Sequence, residues 1–439
     1  MGPRSLPLCL LVVLAGFSIP QAFSQRISNY DSGRAITMLN TIAEDVEKHY
    51  YDPTFHGVDW KAKVAEAKEK IRSSPSFDAA LTEIAQALLA LNDSHTYFLP
   101  PMKSFRYDYG FQEQMIGNRC YIIRVTPRSD AEAKGVKPGD EVLAVGNYQP
   151  ARDTVWMMEY RYKALSPEAG LRFSLRDLQG QLRQVDVMAK FKLRGRGWDL
   201  SGFDVRNRIR ETEDVRHHQR PRWAEGGDRV GILRLPTFML DESEVEGLIK
   251  KARNHPALIL DLRGNPGGVA ETLWYMLGGM FAVDVKIGDR VDRKGSKPLV
   301  AKSWNQRAFT GRLVVLIDSR SASAAELFAR VVQLERRGFI IGDRSSGSVM
   351  EAEEYDHDSA TNVQILYGAN ISEADIIMND GKSLEHTGVM PDETVLPTAA
   401  DLASGRDPLL SRAAALVGVK ITPEDAGKMF PFEWPKGEP

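Results

Sequence analysis

The spacing of apolar residues changes twice along the chain, and each change marks a change of architecture. Between about Ile27 and Leu91 the spacing is helical: Ile36, Leu39, Ile42, Ala43 and Val46 share one face, and the run stops at Tyr50-Tyr51-Asp52-Pro53. Residues 64–71 predict a second short helix. Residues 77–91 predict a third, entered through Ser73-Ser74-Pro75-Ser76. From about Tyr107 to Lys192 the pattern becomes that of short strands separated by turns, at 119–125, 141–145, 171–175 and 184–188. From Arg229 strands and helices alternate. Strands are predicted at 230–235, 257–262, 313–317 and 339–341, helices at 242–254, 271–281 and 323–335, and one closing helix over 399–416. Such alternation predicts an α/β core.

A chain of 439 residues exceeds a single ordinary core, and its 43% hydrophobic and 26% charged residues are those of a globular protein. The formal charge of −2 argues against a nucleic-acid binder or a polybasic membrane-surface protein. The sequence holds no phosphate-binding glycine loop and no metal-spaced Cys/His cluster, so neither cofactor nor metal is expected. Adjacent His217 and His218 read as a solvated loop, because sequence neighbours rarely point at one ion.

The N-terminus reads as an export signal: Arg4, an apolar run over 6–19, then Ala22-Phe23-Ser24 with cleavage before Gln25. The run is shorter than the ~20 residues of a spanning helix, so no stable membrane insertion is expected after its removal. Cys9 would leave with it, and Cys120 alone cannot form an intramolecular disulfide. The expected organisation is a signal peptide (1–24), a helical domain (25–104), a β-rich domain (105–192), a linker with an edge element (193–228), an α/β core (229–420) and a tail (421–439).

Within the β-rich part, Gly135-Val136-Lys137-Pro138-Gly139-Asp140 precedes a strand, and Tyr109-Gly110-Phe111 stands before another. This resembles a PDZ domain. The resemblance implies that Tyr109, Gly110 and Phe111 form a carboxylate-binding loop beside an edge to which a peptide adds as a strand.

Two strand-to-helix junctions in the core carry the candidate chemistry. The run Asp318-Ser319-Arg320-Ser321-Ala322-Ser323-Ala324-Ala325-Glu326 places serines at a helix N-terminus, where free N–H groups face a developing negative charge. Taken alone, it reads as a helix cap at Ser321 or Ser323 at least as well. The second junction, Asp261-Leu262-Arg263-Gly264-Asn265-Pro266-Gly267-Gly268, lets backbone approach a substrate closely, and its glycines lack the spacing of a dinucleotide-binding loop.

Together the two runs resemble the C-terminal-processing (tail-specific) serine peptidases and their tricorn-type branch. The resemblance implies a ClpP/crotonase-like protease core with an N-terminal helical unit and an inserted PDZ-like domain. It makes Ser323 the nucleophile, with an oxyanion hole from the N–H of Ala324 and of Gly267 or Gly268. The chain departs from the family at the general base. Tail-specific peptidases use a lysine in a segment that reads here Gly342-Asp343-Arg344-Ser345-Ser346-Gly347-Ser348, and Ser348 stands in its place. Arg344 cannot replace it, because a guanidinium stays protonated.

The tricorn-type branch implies another base. Ser94-His95 and Glu385 match its motifs, giving a tetrad in which Ser323 attacks, His95 moves the proton, Ser94 orients His95 and Glu385 holds Ser94. An unperturbed pKa of ~6.5 suits histidine to that task. His386, His357 and Lys382 are rival bases ranked below His95. The expected function is a secreted or periplasmic peptidase that cleaves unfolded or C-terminally exposed polypeptides, without nucleic-acid partners; assembly into a homo-oligomer is compatible with it. The alternative is a non-catalytic peptide or lipid binder on the same fold, which loss of the lysine would suit.

Overall fold

The computed structural model describes residues 26–101, 105–193, 220–360 and 364–432. The signal segment and His217-His218 lie outside them. Three helices open the chain: α1 (Asn29–His49), α2 (Trp60–Ser73) and α3 (Phe77–Leu89). Ser28, Asp59 and Ser76 cap their N-termini by accepting backbone N–H bonds. Their apolar faces, including Met38, Ile42, Ile84 and Leu88, close over one core. The short strand β1 (Tyr97–Leu99) follows directly on His95.

The β-rich unit contains β2 (Phe105–Asp108), β3 (Phe111–Ile116), β4 (Arg119–Val125), the single-turn helix α4 (Asp130–Ala133), β5 (Glu141–Val145), α5 (Val155–Tyr160), β6 (Gly170–Arg176), β7 (Leu182–Met188) and β8 (Lys190–Leu193). Strands β3 to β7 form one antiparallel sheet in sequence order, with β3 at its edge. That edge does not face open solvent. Its Met115 carbonyl accepts from the Ser319 hydroxyl at 2.5 Å, its Glu113 carbonyl accepts from Arg320, and Gln114 donates to Asp318 at 2.8 Å.

A second tie joins the unit to the core. Arg152 pairs with Asp343 at 2.9 Å, both side chains are about one-tenth exposed, and the Gly117 N–H reaches the same carboxylate oxygen at 2.8 Å. Removing the guanidinium leaves a buried carboxylate without its cation. Arg152→Ala is therefore expected to destabilise the protein by about 3 kcal/mol, read as a lowered denaturant midpoint.

The core begins with β9 (Arg222–Glu225), inside the stretch expected as linker, which pairs antiparallel with β10 (Val230–Arg234). It continues through α6 (Glu242–Ala252), β11 (Ala257–Asp261), α7 (Ala270–Gly278), a hairpin of β12 (Val285–Asp292) and β13 (Gly295–Ala301), β14 (Arg312–Ile317), α8 (Ala324–Leu334) and β15 (Phe339–Gly342). A second hairpin of β16 (Glu351–Ala360) and β17 (Gln364–Met378) precedes β18 (Glu393–Thr394). The main sheet runs β18-β15-β14-β11-β10-β9, parallel except at β9. Alternate residues of its strands face two layers. Leu258, Leu260, Val315 and Ile317 pack with α6, α7 and α8, while Ile232, Ile259, Val314 and Leu316 meet the C-terminal helices.

The closing segment differs from the single helix predicted over 399–416. It is α9 (Ala399–Ser404), then α10 (Pro408–Leu416). Gly405 ends the first in the left-handed conformation (φ 67°), and Asp407-Pro408 starts the second. Residues expected to belong to a tail form α11 (Pro423–Met429), whose Ala426 is buried against α10.

The strand β17 organises the N-terminal part. It pairs with β1 on one side (Tyr97 opposite Asn370) and with β16 on the other. Its Tyr367, Ala369 and Ile371 enter the core of α1–α3. Among the described residues no helix is long and apolar enough to cross a membrane.

Candidate active site

Strand β14 is buried from Leu313 to Ile317 and delivers the chain to a tight turn at Asp318. The Ser321 hydroxyl accepts the Asp318 N–H at 3.0 Å and donates to the Leu262 carbonyl at 2.9 Å, which locks this turn against the neighbouring glycine loop. Ser323 then sits at φ 54°, ψ −121°, a strained conformation for a non-glycine residue that costs about 1–3 kcal/mol. Neither candidate serine acts as a simple cap. Ser321 is spent on the turn, and the Ser323 carbonyl takes the Glu326 N–H at 2.9 Å. The strain is held in place by two bonds from the Ser323 N–H, to the Ser348 carbonyl (2.8 Å) and to the Glu326 carboxylate (3.1 Å).

Glu326 is fully buried and was not singled out from the sequence, although it stands at capping-box spacing from Ser323. Its two oxygens accept from the Ser345 hydroxyl (2.5 Å) and the N–H groups of Gly347 (2.7 Å), Ser348 (2.9 Å) and Ser323. Burial pushes this carboxyl up to about 7, against the downward pull of those donors. It pins the Ser323 turn to the segment from Ser345 to Ser348.

The glycine loop is braced from below. Arg263 binds Asp261 and also grips Asp407 at 2.7 and 3.0 Å. Burial would raise the Asp261 carboxyl, but the Arg263 charge and bonds outweigh it and hold it below its usual value. Gly267 has φ 99°, and a Cβ there would lie 2.7 Å from Ser323 Cβ and 3.0 Å from the Ala324 nitrogen. Only glycine permits that approach. The Gly267 N–H is occupied by Asn265 Oδ1 at 2.8 Å, whereas the N–H groups of Gly268 and Ala324 donate to no described residue.

His95 arrives from the loop between α3 and β1. Its carbonyl accepts from Asn370 at 2.6 Å, and its ring Nδ1 lies 2.8 Å from the Ser94 hydroxyl. That hydroxyl donates to Glu385 Oε2 at 2.9 Å, while the Ser94 N–H reaches Oε1 at 2.7 Å. A hydroxyl that donates to a carboxylate must accept from its other neighbour. Nδ1 therefore carries the hydrogen, and Nε2 presents a lone pair. Burial lowers the His95 pKa and the negative charge of Asp93 raises it, with burial dominant. Burial also raises the Glu385 carboxyl, against the donors from Val349 and Ser94.

The two halves meet across one peptide unit. The Ser348 carbonyl accepts from the Ser323 N–H, and the N–H of the same unit, belonging to Val349, donates to Glu385 Oε2 at 2.9 Å. Glu385, Ser94 and His95 form one hydrogen-bonded chain. Ser323 is next to it through this peptide, and its hydroxyl is not hydrogen-bonded to His95 in this structure.

The rival bases lie elsewhere or are engaged. His386 Nε2 bonds the Asn92 carbonyl at 2.8 Å, His357 on β16 bonds Asp45 of α1 at 2.5 Å, and Lys382 is exposed in the turn after β17. In the PDZ-like loop Tyr109 is buried and donates to the Glu168 carbonyl at 2.7 Å. Gly110 gives its N–H to Asp108 at 2.8 Å, and Phe111 packs edge-on against Phe173. Among the described residues no group of three or more His, Cys, Asp or Glu could hold a metal.

Comparison with known proteins adds a family. Residues 229–395, which contain both core junctions and Glu385, match Peptidase family S41. The chain is 27% identical over 272 residues to the tail-specific protease of Haemophilus influenzae, covering 58% of this chain and 36% of that protein. It is 31% identical over 301 residues to the carboxy-terminal processing protease CtpA of Bacillus subtilis, covering 67% and 57%. The chain thus spans about a third to three-fifths of these relatives. The solved structure of mature CPAF shares the fold, with a TM-score of 0.65 at 16% identity over 85% of this chain and 94% of that one.

Proposed function

We propose, on the match of residues 229–395 to Peptidase family S41, that the chain is a serine-type peptidase that cleaves extended polypeptides at Ser323 with His95 as the general base. The observation that carries the reading is the Glu385–Ser94–His95 chain, joined to the strained nucleophile turn by the single peptide unit between Ser348 and Val349.

In this reading His95 Nε2 takes the Ser323 proton as the hydroxyl oxygen attacks the scissile carbonyl. Catalytic hydrogen bonds commonly shorten only in the substrate complex, which accommodates the open Ser323–His95 contact. The carbonyl oxygen, now negative, is received by the N–H groups of Ala324 and Gly268, both without other acceptors. His95 then returns the proton to the leaving amine, and water hydrolyses the acyl-enzyme by the same route. The imidazolium is stabilised through Ser94 by Glu385.

The substrates we propose are unfolded chains with exposed C-termini, outside the cytoplasm. The names of the relatives, tail-specific and carboxy-terminal processing, support action at C-termini. The alternative, a non-catalytic binder, draws on Ser348 in place of lysine and leaves the Glu385–Ser94–His95 chain without a purpose.

The test is a pH–rate profile for hydrolysis of an unfolded casein. A histidine base is active only when neutral, and burial holds the His95 pKa below its ordinary value. Activity should therefore persist down to about pH 6.5 and fall on the acid side beyond it. A rate that climbs only toward alkaline pH would assign the base to an amine. Absence of hydrolysis would favour the binder.

A further inference from the structure

Asp93 lies two residues before His95 and is 4% exposed. Its Oδ1 accepts three hydrogen bonds, from the N–H of His95 (3.0 Å), the N–H of Thr96 (2.7 Å) and the hydroxyl of Ser372 on β17 (2.6 Å). These bonds fold the loop that presents the imidazole. All of them use one oxygen, which an asparagine would supply equally well. The other oxygen, Oδ2, is fully buried and has no donor at full hydrogen-bond geometry, the only carboxylate oxygen of which this holds among the described residues, although the Tyr50 hydroxyl is directed at the carboxylate.

A buried carboxylate without a cation costs several kcal/mol. The turn does not need the charge, so the charge must be offset by something else. No Lys or Arg pairs with Asp93 among the described residues. Around it stand Tyr50 and Tyr51 at the end of α1, His56, Asp375 on β17, and Glu385 with His386 across the relay. Burial, the Asp93 charge and a hydrogen bond to the Asp93 carboxylate hold the Tyr50 hydroxyl well above its usual range, so that this neutral tyrosine supplies a donor but no charge. The group next to Asp93 that changes charge in the proposed reaction is His95.

We propose that Asp93 is a positioning residue with an electrostatic function, a second carboxylate whose buried charge favours the imidazolium that His95 forms when it takes the nucleophile's proton. This deepens the peptidase reading and rests on it. Glu385 acts on the ring through Ser94 and Nδ1. Asp93 acts from the backbone side of the same residue and meanwhile fixes the loop.

The near-isosteric Asp93→Asn separates charge from shape, because the amide oxygen can still accept the His95, Thr96 and Ser372 bonds. Two readouts are needed, on full-length protein with isotope-labelled histidine. The first is the NMR titration of His95. Its pKa should fall in Asp93→Asn, because a negative charge that favours the protonated ring has gone. The second is the pH–rate profile on casein. The acid limb should move to lower pH with the pKa, and kcat should drop about 10-fold or more because the base is weaker, while KM holds. Asp93→Glu, which restores charge but misplaces it, should lose activity through the loop, with a raised KM.

An unmoved His95 titration in Asp93→Asn overturns the inference and leaves Asp93 a turn residue, whatever happens to the rate. A lowered titration in a protein whose wild type hydrolyses nothing sustains the electrostatic coupling and overturns the peptidase reading. The two failures are thereby told apart.

Discussion

Replacing Ser323 by alanine is expected to lower kcat/KM on an unfolded substrate by about 10⁴-fold or more without unfolding the protein. The turn is held by backbone bonds of Ser323. Ser323 contributes its N–H to Ser348 and Glu326 and its carbonyl to Glu326, and alanine keeps all of these. The backbone strain at φ 54° falls on alanine and serine alike. Substrate should still bind, since alanine removes one hydroxyl and leaves the surrounding backbone in place. A parallel fall in thermal stability would mean that the hydroxyl braces the turn, and the loss of rate would then say nothing about attack on a carbonyl.

The second large effect is expected at His95. His95→Ala should cost about as much as loss of the nucleophile, and the Ser323→Ala/His95→Ala double variant should be no worse than either alone, because residues acting as one unit do not add. Part of the lost rate should return at alkaline pH, where hydroxide takes the place of the imidazole. Glu385→Gln should be less severe, about 10³-fold, since the amide can still hold Ser94 while the charge that favours the imidazolium is gone. Ordinary additivity of His95→Ala and Ser323→Ala would place the two groups in separate functions.

The parts of the molecule that were legible in the sequence are those with a single burial pattern. Strands β11 and β14 are buried on both faces and read as unbroken apolar runs, Leu258-Ile259-Leu260 and Leu313-Val314-Val315-Leu316-Ile317. Helix α1 shows its buried face at helical spacing from Met38 to Val46. The hairpin of β16 and β17 was not legible. Glu351 to Asp358 is acidic, faces α1 through His357 and Asp45, and carries no alternation that an unaided reading would take for a strand. The single helix expected over 399–416 failed on one residue, since Gly405 inside a periodic run ends a helix only when it adopts positive φ.

The site divides in the same way. Ser94, His95, Ser323 and Glu385 stood out because each lies in a recognisable run, although 291 residues separate Ser94 from Glu385. Glu326 and Asp93 did not, because a carboxylate in sequence is ordinarily a solvated one. What distinguishes these two is burial, together with donors contributed by β17 and by the segment from Ser345 to Ser348. The choice between Gly267 and Gly268 likewise rests on the Asn265 side chain, which occupies one N–H and leaves the other open. Composition and spacing carry no trace of that.

The most direct measurement is to treat the protein with a fluorophosphonate, digest it and map the adduct by mass spectrometry, comparing wild type with His95→Ala. A single phosphonylated residue is expected, Ser323, formed rapidly in the wild type and at least about a hundredfold more slowly without the imidazole. An adduct on another serine, or one on Ser323 that forms as fast in His95→Ala as in the wild type, would contradict this expectation.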